Sequence, residues 1–504
     1  MAIAKHIGIS KSRYTLYRQC PKALWLKTYK PEQAEISDSL RQRFESGSVV
    51  GDLAKGLFGN YSEVTAYTSD GKLDLDKMVK DTQRCIDAGV DVICEASFVY
   101  DGGYCAVDIL KKENDGYAIY EVKSSTDSSN EVYAQDVAYQ KYLLSRCGIE
   151  VTGTYLVCIN SDYVLDGELD IQKLFQVQDI SEAVAREYGN VEYQVARAKK
   201  MLAQIDVEPN EDLDVHCHKH YDCAFWQYCS QHLPRLSVFN LYRMNFDKKV
   251  AHYKQGIVNF EQLSNESLND KQRRQVECNL HDTIYINKVE IAKFLNTLSY
   301  PLYFLDFETI QPVIPEYQGT HPYQQIPFQY SLHYIEKEGG ELKHKEFLGE
   351  SGEDTRRHLA EQLCVDIPKN KCVTAYNKAF ECSRLTELAD TFPDLASHLL
   401  NIRNHIIDLL VPFQQGWYYV PAMGGSFSIK SVLPALFPKD PELDYHNLEG
   451  SVHNGGEAMS IFPKIKDMAP EEQLLARRSL LKYCELDTYA MVKVWQKLKE
   501  AAEA

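Results

Sequence analysis

No run of about 18 consecutive apolar residues occurs in the 504-residue chain, which excludes a hydrophobic membrane helix. The opening MAIAKHIGISKSRY lacks the continuous apolar stretch that a signal peptide needs, so a cytoplasmic location and no membrane partner are expected. Internal repeats and low-complexity tracts are absent, which excludes a repeat array. Basic charge is in deficit. The 55 Lys and Arg residues against 72 Asp and Glu leave −17 at neutral pH, opposite to the usual footprint of a nucleic-acid binder. Acidic residues, however, are missing altogether from residues 1–31, where Lys5, Lys11, Arg13, Arg18, Lys22, Lys27 and Lys30 alternate with Tyr14, Tyr17, Trp25 and Tyr29. Cations beside aromatic faces suit a single nucleic-acid strand. An amphipathic helix with core aromatics and solvated lysines explains the same pattern.

What is present is ordinary soluble composition, 44% hydrophobic and 25% charged, in a chain too long for one core. Residues 1–235 read as one α/β unit. Residues 236–298 are polar with apolar positions at helical spacing and read as a small helical connector. From 299 to 504, apolar strands alternate with amphipathic helices and end in a long helix at about 471–501, a second α/β domain.

Fourteen cysteines are many for a reducing compartment. Cys85, Cys94, Cys147, Cys158 and Cys278 are scattered and read as inert thiols. Cys217, Cys223 and Cys229 recur every six residues in HCHKHYDCAFWQYC, and Cys20 lies far upstream in RQCPKALW. Four thiolates can hold zinc or an iron–sulfur cluster, or stay unmetallated, and the spacing does not choose between them. It is not the C-x₂-C of common zinc ribbons. His216, His218 and His220 read as solvated.

Two stretches carry carboxylates in a pattern that suggests chemistry. In YCAVDILKKENDGYAIYEVKSS (104–125), a turn at Glu113-Asn114-Asp115-Gly116 pairs Lys112 with Tyr117 and sets Asp108 opposite Glu121. Glu121 and Lys123 share one strand face, so two carboxylates and an ammonium cluster. Such a cluster can hold Mg²⁺ or Mn²⁺, activate water and stabilise charge at a phosphate. Glu95, in the strand-like DVICEASFVY, is a further ligand candidate. A surface hairpin with a cross-strand ion pair is the plainer alternative. A helix with Gln135 and Tyr139 at i, i+4 follows.

Downstream, LYFLDFETI (302–310) puts Asp306 and Glu308 on one face of a buried-looking strand, where unpaired carboxylates are costly. VTAYNKAFECSRL (373–385) offers Glu381 on the first turn of a helix, HIIDLL (405–410) offers Asp408, and LKYCELDTYAMVKVW (481–495) sets Tyr483 and Asp487 on one helical face. Between them, WYYVPAMGGSFSIKSVLPALFP (417–438) presents Tyr418, Tyr419, Ser426, Ser428 and Lys430 either as nucleic-acid contacts or as a loop packed on the core.

The first pattern resembles the RecB-like branch of the PD-(D/E)xK nucleases, which carries the acid, the E-x-K and the following Q-x-x-x-Y helix in this order. The resemblance implies a restriction-endonuclease-like fold with Asp108 and Glu121 as metal ligands and Lys123 as catalytic lysine. It also implies Gln135 and Tyr139 as substrate- or site-supporting residues. Many such proteins carry a metal-binding His in an upstream helix, and GSVVGDLAKGLF (47–58) has none. One cysteine before the nuclease core and three after it resemble the iron–sulfur staple of AddB and of RecB-like CRISPR-associated nucleases. This implies a [4Fe–4S] site at Cys20, Cys217, Cys223 and Cys229. The order D-x-E, N-x-x-x-acid, Y-x-x-x-D resembles the DnaQ-like 3′→5′ exonucleases of the DEDDy type, with an RNase H-like fold. It implies two divalent metals on Asp306, Glu308, Glu381 and Asp487, with Tyr483 orienting water. The third acid is usually Asp, and here it is Glu381.

The whole chain is similar to a bacterial family joining a RecB-like iron–sulfur nuclease to a DnaQ-like domain. The implied function is a metal-dependent nuclease, an exonuclease on single-stranded or end-containing DNA, in DNA processing or defence. RNA as substrate, one site reduced to a nucleic-acid or partner-binding module, and a wholly non-catalytic binder are the alternatives. Protein partners are left open.

Overall fold

In the computed structural model, residues 8–36, 38–127, 131–219 and 221–503 are described, with 38–45 described by backbone alone. Lys5 and His220 lie outside the described residues. The chain divides into two compact units, Met1–His232 with Pro312–Tyr323, and Leu233–Gln311 with Gln324–Ala504. Residues 236–298 therefore group with the second unit. Both units mix helices and strands, the α/β class.

In the first unit, strands β1 (Ile9–Ser10), β2 (Ser62–Glu63), β3 (Val92–Tyr100), β4 (Gly103–Glu113), β5 (Gly116–Lys123), β6 (Val151–Ile159) and β7 (Phe175–Asp179) form one sheet. Its order is β2-β3-β4-β5-β6-β7, with β1 parallel to one end of β4. Asp101 and Gly102 both take positive φ, 44° and 71°, the geometry of a tight hairpin turn between β3 and β4. The β4–β5 hairpin pairs Lys112 with Tyr117, the register its turn sequence implies. β5 and β6 are parallel and are joined through the helix Glu131–Arg146. Along β5 successive side chains pack into two different cores. Tyr117 and Ile119 join a core with Val137, Tyr139 and Leu143 of that helix, while Ala118 and Tyr120 join a core with Leu57, Ile109 and Phe175. Glu121 and Lys123 thereby fall on the helix-covered face.

In the second unit, three helices (Phe246–Lys254, Phe260–Leu263, Asp270–His281) close around Val238, Leu241, Leu268 and Val276. Each begins at an asparagine, Asn245, Asn259 or Asn269, whose side chain accepts a backbone N–H of the first turn. Strands β8 (Tyr285–Ile286) and β14 (Tyr418–Tyr419) form a two-stranded ribbon. The main sheet contains β9 (Leu302–Ile310), β10 (Ile326–Ile335), β11 (Leu342–Leu348), β12 (Cys372–Ala375) and β13 (Ile406–Asp408), in the order β11-β10-β9-β12-β13. Strand β9 is antiparallel to β10 and parallel to β12.

Tyr303, Leu305 and Phe307 of β9 pack with Leu359, Leu385 and Leu399 of three helices on one face. The intervening Phe304, Asp306 and Glu308 therefore face the other side. There the 34-residue helix Pro470–Glu503 buries Leu480, Cys484 and Trp495, with Trp495 edge-on to Phe304 at 5.8 Å. Among the described residues, no helix is long and apolar enough to cross a membrane.

Candidate functional site

Each unit gathers carboxylates on the helix-covered face of its sheet. In the first unit, Asp108 accepts the Val122 backbone N–H (2.8 Å), and Glu121 lies beside it. Lys123 Nζ donates to Glu121 Oε1 (2.6 Å) and Asp136 Oδ2 (2.8 Å). Lys11, first residue of the helix Lys11–Gln19, donates to Asp108 Oδ1 (3.3 Å) and to Glu121 Oε1 (2.9 Å). Gln140 Nε2 bridges Glu121 Oε2 (2.7 Å) and Asp136 Oδ1 (3.1 Å). Glu95 has a left-handed backbone, φ 57°, at the register point facing Asp108. Two ammonium groups thus meet four carboxylates.

The charge imbalance shows in the protonation of these groups. Burial alone would raise Glu121, but Lys11 and Lys123 hold it well below the usual carboxylate range. Asp108 is pushed up to about 6 by burial and by Glu121, and Glu95 to about 7 by burial and by Asp108. Among the described residues, no three of these carboxylates bring oxygens within 4.8 Å of one another.

Gln135 and Tyr139 are placed away from these carboxylates. The Tyr139 hydroxyl donates to the Ile9 carbonyl (2.7 Å), and its ring stacks on Tyr14 at 4.8 Å. Gln135 is half-buried in a cleft of about 430 Å³ with Ser12, Gln19 and Lys27. Their helix instead offers Asp136 and Gln140, one position further along, an i, i+4 pair as visible in the sequence as the one singled out. Lys11 carried no local signal, since its partners are about a hundred residues away.

In the basic N-terminal stretch, Tyr14, Tyr17 and Trp25 are buried. Arg18 pairs with Glu187 (2.8 Å), and Lys22 and Lys30 both pair with Glu208 (3.1 and 2.9 Å). The aromatics are core, and much of the cationic stripe is spent on internal ion pairs.

Cys20 precedes the helix Pro21–Tyr29 and is buried with Trp25, Leu26 and Phe225, against which Cys223 and Cys229 also pack. The Cys223 N–H donates to the Cys217 carbonyl (2.9 Å), and Gln19 Nε2 donates to the carbonyls of His216 and Tyr221 (3.0 Å each). These bonds bring the two ends of the unit together at the thiols. Burial pushes Cys20 up to about 12 and Cys217 to about 11. Among the described residues, no three of the four thiols bring their sulfurs within 4.8 Å of one another. His218 is held by Asp222 (2.6 Å).

The second unit brings Asp306, Glu308, Glu381 and Asp487 together. Asp306, Glu308 and Cys484 place ligand atoms within 4.8 Å of one another, and Cys484 Sγ lies 3.7 Å from Asp306 Oδ2. Glu381 is buried, and its Oε2 has no hydrogen-bond partner among the described residues. All four acids are shifted up. Asp306 lies well above the usual carboxylate range through burial and the charges of Asp487, Glu308 and Glu381. Burial and Asp487 push Glu308 to about 8, burial pushes Glu381 to about 8, and burial takes Asp487 to about 6.

Lys430 is the cation beside them. It counteracts the shifts of Glu308 and Asp487, and its ammonium lies 5.5 Å from the ring centres of both Tyr445 and Tyr483. Asp487 accepts the Tyr445 hydroxyl at 2.6 Å. At Gly455 a Cβ would meet Glu308 Oε2 at 3.7 Å and the Tyr483 hydroxyl at 3.9 Å, so the glycine keeps open the space between them. A cleft of about 880 Å³ opens alongside, lined by Lys430, Phe437, Tyr445, His446 and His453.

Asp408 has a different task. It accepts the backbone N–H groups of Asn377 (2.9 Å), Lys378 (3.2 Å) and Leu410 (2.9 Å), fixing the turn from which Glu381 projects. Tyr418 and Tyr419 are buried in the two-stranded ribbon, and Tyr419 accepts a hydrogen bond from Asn279 (2.8 Å). Ser426 and Ser428 are exposed. Tyr445 and Cys484 were not singled out from the sequence. Cys484 sits between Tyr483 and Asp487 and was visible there, whereas Tyr445 comes from a stretch without a recognisable pattern.

Residues 303–428 match a family model described as a domain of unknown function (DUF2779). The matched stretch holds Asp306, Glu308 and Glu381 and ends before Tyr483. The chain is also similar to an uncharacterized protein, UU173, of Ureaplasma parvum serovar 3, with 26% identity over 237 residues. That similarity covers 42% of this chain and 33% of the relative, so the chain spans about a third of that relative's length. No solved structure matches.

Proposed function

We propose that this protein is a divalent-metal-dependent nuclease whose main catalytic centre is the Asp306–Glu308–Glu381–Asp487 cluster, within an RNase H-like exonuclease domain. The observation that carries this is the concentration of four acids with raised proton affinities, Glu308, Glu381 and Asp487 buried and Asp306 half-buried, one of them with an unpartnered oxygen, around a space kept open by Gly455. Buried like charges are tolerated only if they neutralise or take a cation. Hard oxygen donors of this kind suit Mg²⁺ or Mn²⁺, which, when bound, supply water activation and charge neutralisation at a phosphodiester. Tyr483 is the group placed to orient a water or a phosphate oxygen. Lys430 offers an ammonium to the substrate phosphate, and Tyr445 holds the Asp487 carboxylate in place. Single-stranded DNA is the proposed substrate, on the resemblance of the first unit to RecB-like iron–sulfur nucleases.

For the first unit we propose a restriction-endonuclease-like fold with a second, weaker metal site at Glu95, Asp108 and Glu121. The contact of Lys11 with Asp108 and Glu121 supports a second reading, in which this centre is already neutralised and serves as a nucleic-acid-binding module. For Cys20, Cys217, Cys223 and Cys229 we propose a [4Fe–4S] cluster. The experiment that tests the catalytic assignment is cleavage of end-labelled strands in Mn²⁺ by the wild type and by Asp306→Asn. Loss of cleavage in the variant is expected, and undiminished cleavage would refute the assignment.

A further inference from the structure

Outside the carboxylate cluster, the second unit carries a group of cations without counter-charges. Lys271 and Arg274 stand three residues apart on the helix Asp270–His281 and face the same way. Lys271 donates to Gln415 Oε1 (3.1 Å), and Arg274 donates to the Gly416 carbonyl (2.7 Å) while lying 3.9 Å from the ring centre of Tyr285. Arg243 is exposed, with a left-handed backbone at φ 46° and its guanidinium 5.5 Å from the ring centre of Tyr242. None of these three has a carboxylate partner among the described residues. Burial together with Arg243 and Arg274 pulls Lys271 below the ordinary lysine range, and no acid offsets them. In a chain of net charge −17, three adjacent uncompensated cations are an investment in an anion that the protein itself does not provide.

A continuous stretch of chain leads from this patch to the carboxylates. Gln272 and Gln275, on the same helix as the two cations, hold the 240–242 loop through Tyr242 O (2.9 Å), Tyr242 N (2.8 Å) and Asn240 O (2.9 Å). Gly425, at φ 85°, presses on that loop so closely that a Cβ would fall 2.2 Å from Asn240 O. Phe427 packs on Tyr242 with ring centres 4.5 Å apart, and its carbonyl accepts the Tyr376 hydroxyl (2.7 Å). Ser426 and Ser428 face solvent. Lys430, two residues on, acts on Glu308 and Asp487. The segment 424–430 thereby runs from the 240–242 loop, next to Arg243, to Lys430, whose ammonium lies 5.5 Å from the ring centre of Tyr483.

We propose that Arg243, Lys271 and Arg274 bind the sugar–phosphate backbone of the substrate strand where it runs along Gly424–Lys430 toward the carboxylates. The inference deepens the nuclease assignment and rests on it. Because the recognised group is the phosphodiester, DNA and RNA strands are held alike here, and any choice between them is made elsewhere.

The test uses the full chain carrying Asp306→Asn, in EDTA, with fluorescently labelled oligothymidylate and oligouridylate of about 20 nucleotides. Arg243→Gln and Lys271→Gln are compared with this parent by fluorescence anisotropy across a salt series, and thermal melting verifies the fold. Arg274 is left intact because it also supports the Gly416 turn. Each change is expected to weaken binding of both strands about 3- to 10-fold and to lower the slope of log K against log salt by about 0.7. Lys271→Arg is expected to restore the slope. Unchanged affinity and slope in folded variants would overturn the proposal. Separate assays of the variants with Asp306 intact distinguish the two claims. Normal metal-dependent cleavage with unaltered binding sinks the patch alone. Patch-dependent binding without any cleavage sinks the nuclease assignment alone, and a protein that binds neither strand sinks both.

Discussion

Asp306 and Glu308 are two residues apart on a central strand, and that spacing directs both carboxylates away from the apolar helix layer. This part of the centre was legible because strand periodicity is local. Tyr483 and Asp487 were legible for the same reason on a helix. Tyr445 was not, since its hydrogen bond to Asp487 spans 42 residues and depends on how a loop closes. Lys11 was hidden likewise, with partners in β4 and β5.

Two predictions belong at this scale. Asp306→Asn is expected to reduce metal-dependent cleavage at least about 100-fold. In EDTA it is expected to raise the melting temperature, because folding no longer has to neutralise a carboxylate that is ionised in the unfolded chain. Saturating Mn²⁺, at about 100 times its Kd, should stabilise the wild type by about 3 kcal/mol. The same Mn²⁺ should stabilise the variant less, and equal thermal shifts in the two proteins would contradict the role given to Asp306. Lys11→Met is expected to destabilise the metal-free protein by about 2 kcal/mol, since the buried Glu121 and the half-buried Asp108 lose a half-buried partner. Urea titration in EDTA and in Mn²⁺ checks this, with the metal recovering much of the loss if the first centre accepts one.

At the scale of elements, the β4–β5 hairpin, the β9 strand, the turn before Glu381 and the final helix can all be read from turn residues and hydrophobic period. The β10–β11 pairing is less legible, because the polar residues Ser331, His333 and His344 sit where an apolar face is expected. The structure resolves that conflict with a hydrogen-bonded network under the final helix. Ser331 pairs with His344 (2.9 Å) and Thr488 (2.7 Å), and His333 pairs with Thr488 (2.7 Å). Burial, and to a lesser degree His344, lower His333 to about 4, although Glu485 pulls the other way.

A histidine whose folded value lies below its unfolded value of about 6.5 keeps its full contribution above that pH. The contribution is lost as pH falls from about 6.5 toward 4, because the unfolded chain takes up the proton first. The loss amounts to roughly 2–3 kcal/mol. His333→Gln should therefore flatten the fall in stability between pH 7 and pH 5, as followed by urea denaturation. An equally steep fall in the variant would show that His333 is not responsible.

Across the whole molecule, the −17 charge is a poor guide to partners because charge is segregated. Part of the acid surplus is drawn into the two carboxylate clusters, while the Arg243–Lys271–Arg274 group has no carboxylate partner among the described residues. The cysteine arrangement joins residues about two hundred positions apart, and its spacing alone did not choose a metal. Cys223→Ser is expected to remove any iron–sulfur absorption from anaerobically purified protein and to loosen the contact between the first two helices and the 216–230 segment. Hydrogen exchange and iron analysis check both. Full iron content in the variant would count against the assigned ligand set.

The most direct test of the central claim is digestion of end-labelled single-stranded DNA and RNA in Mn²⁺, Mg²⁺ and EDTA by the wild type, Asp306→Asn, Lys123→Ala and the double variant. The account predicts a metal-dependent ladder from one end that disappears with Asp306→Asn, with any residual product pattern of the first unit lost in the double variant. A ladder that survives Asp306→Asn unchanged, or wild-type protein that cuts neither strand in either metal, would contradict it.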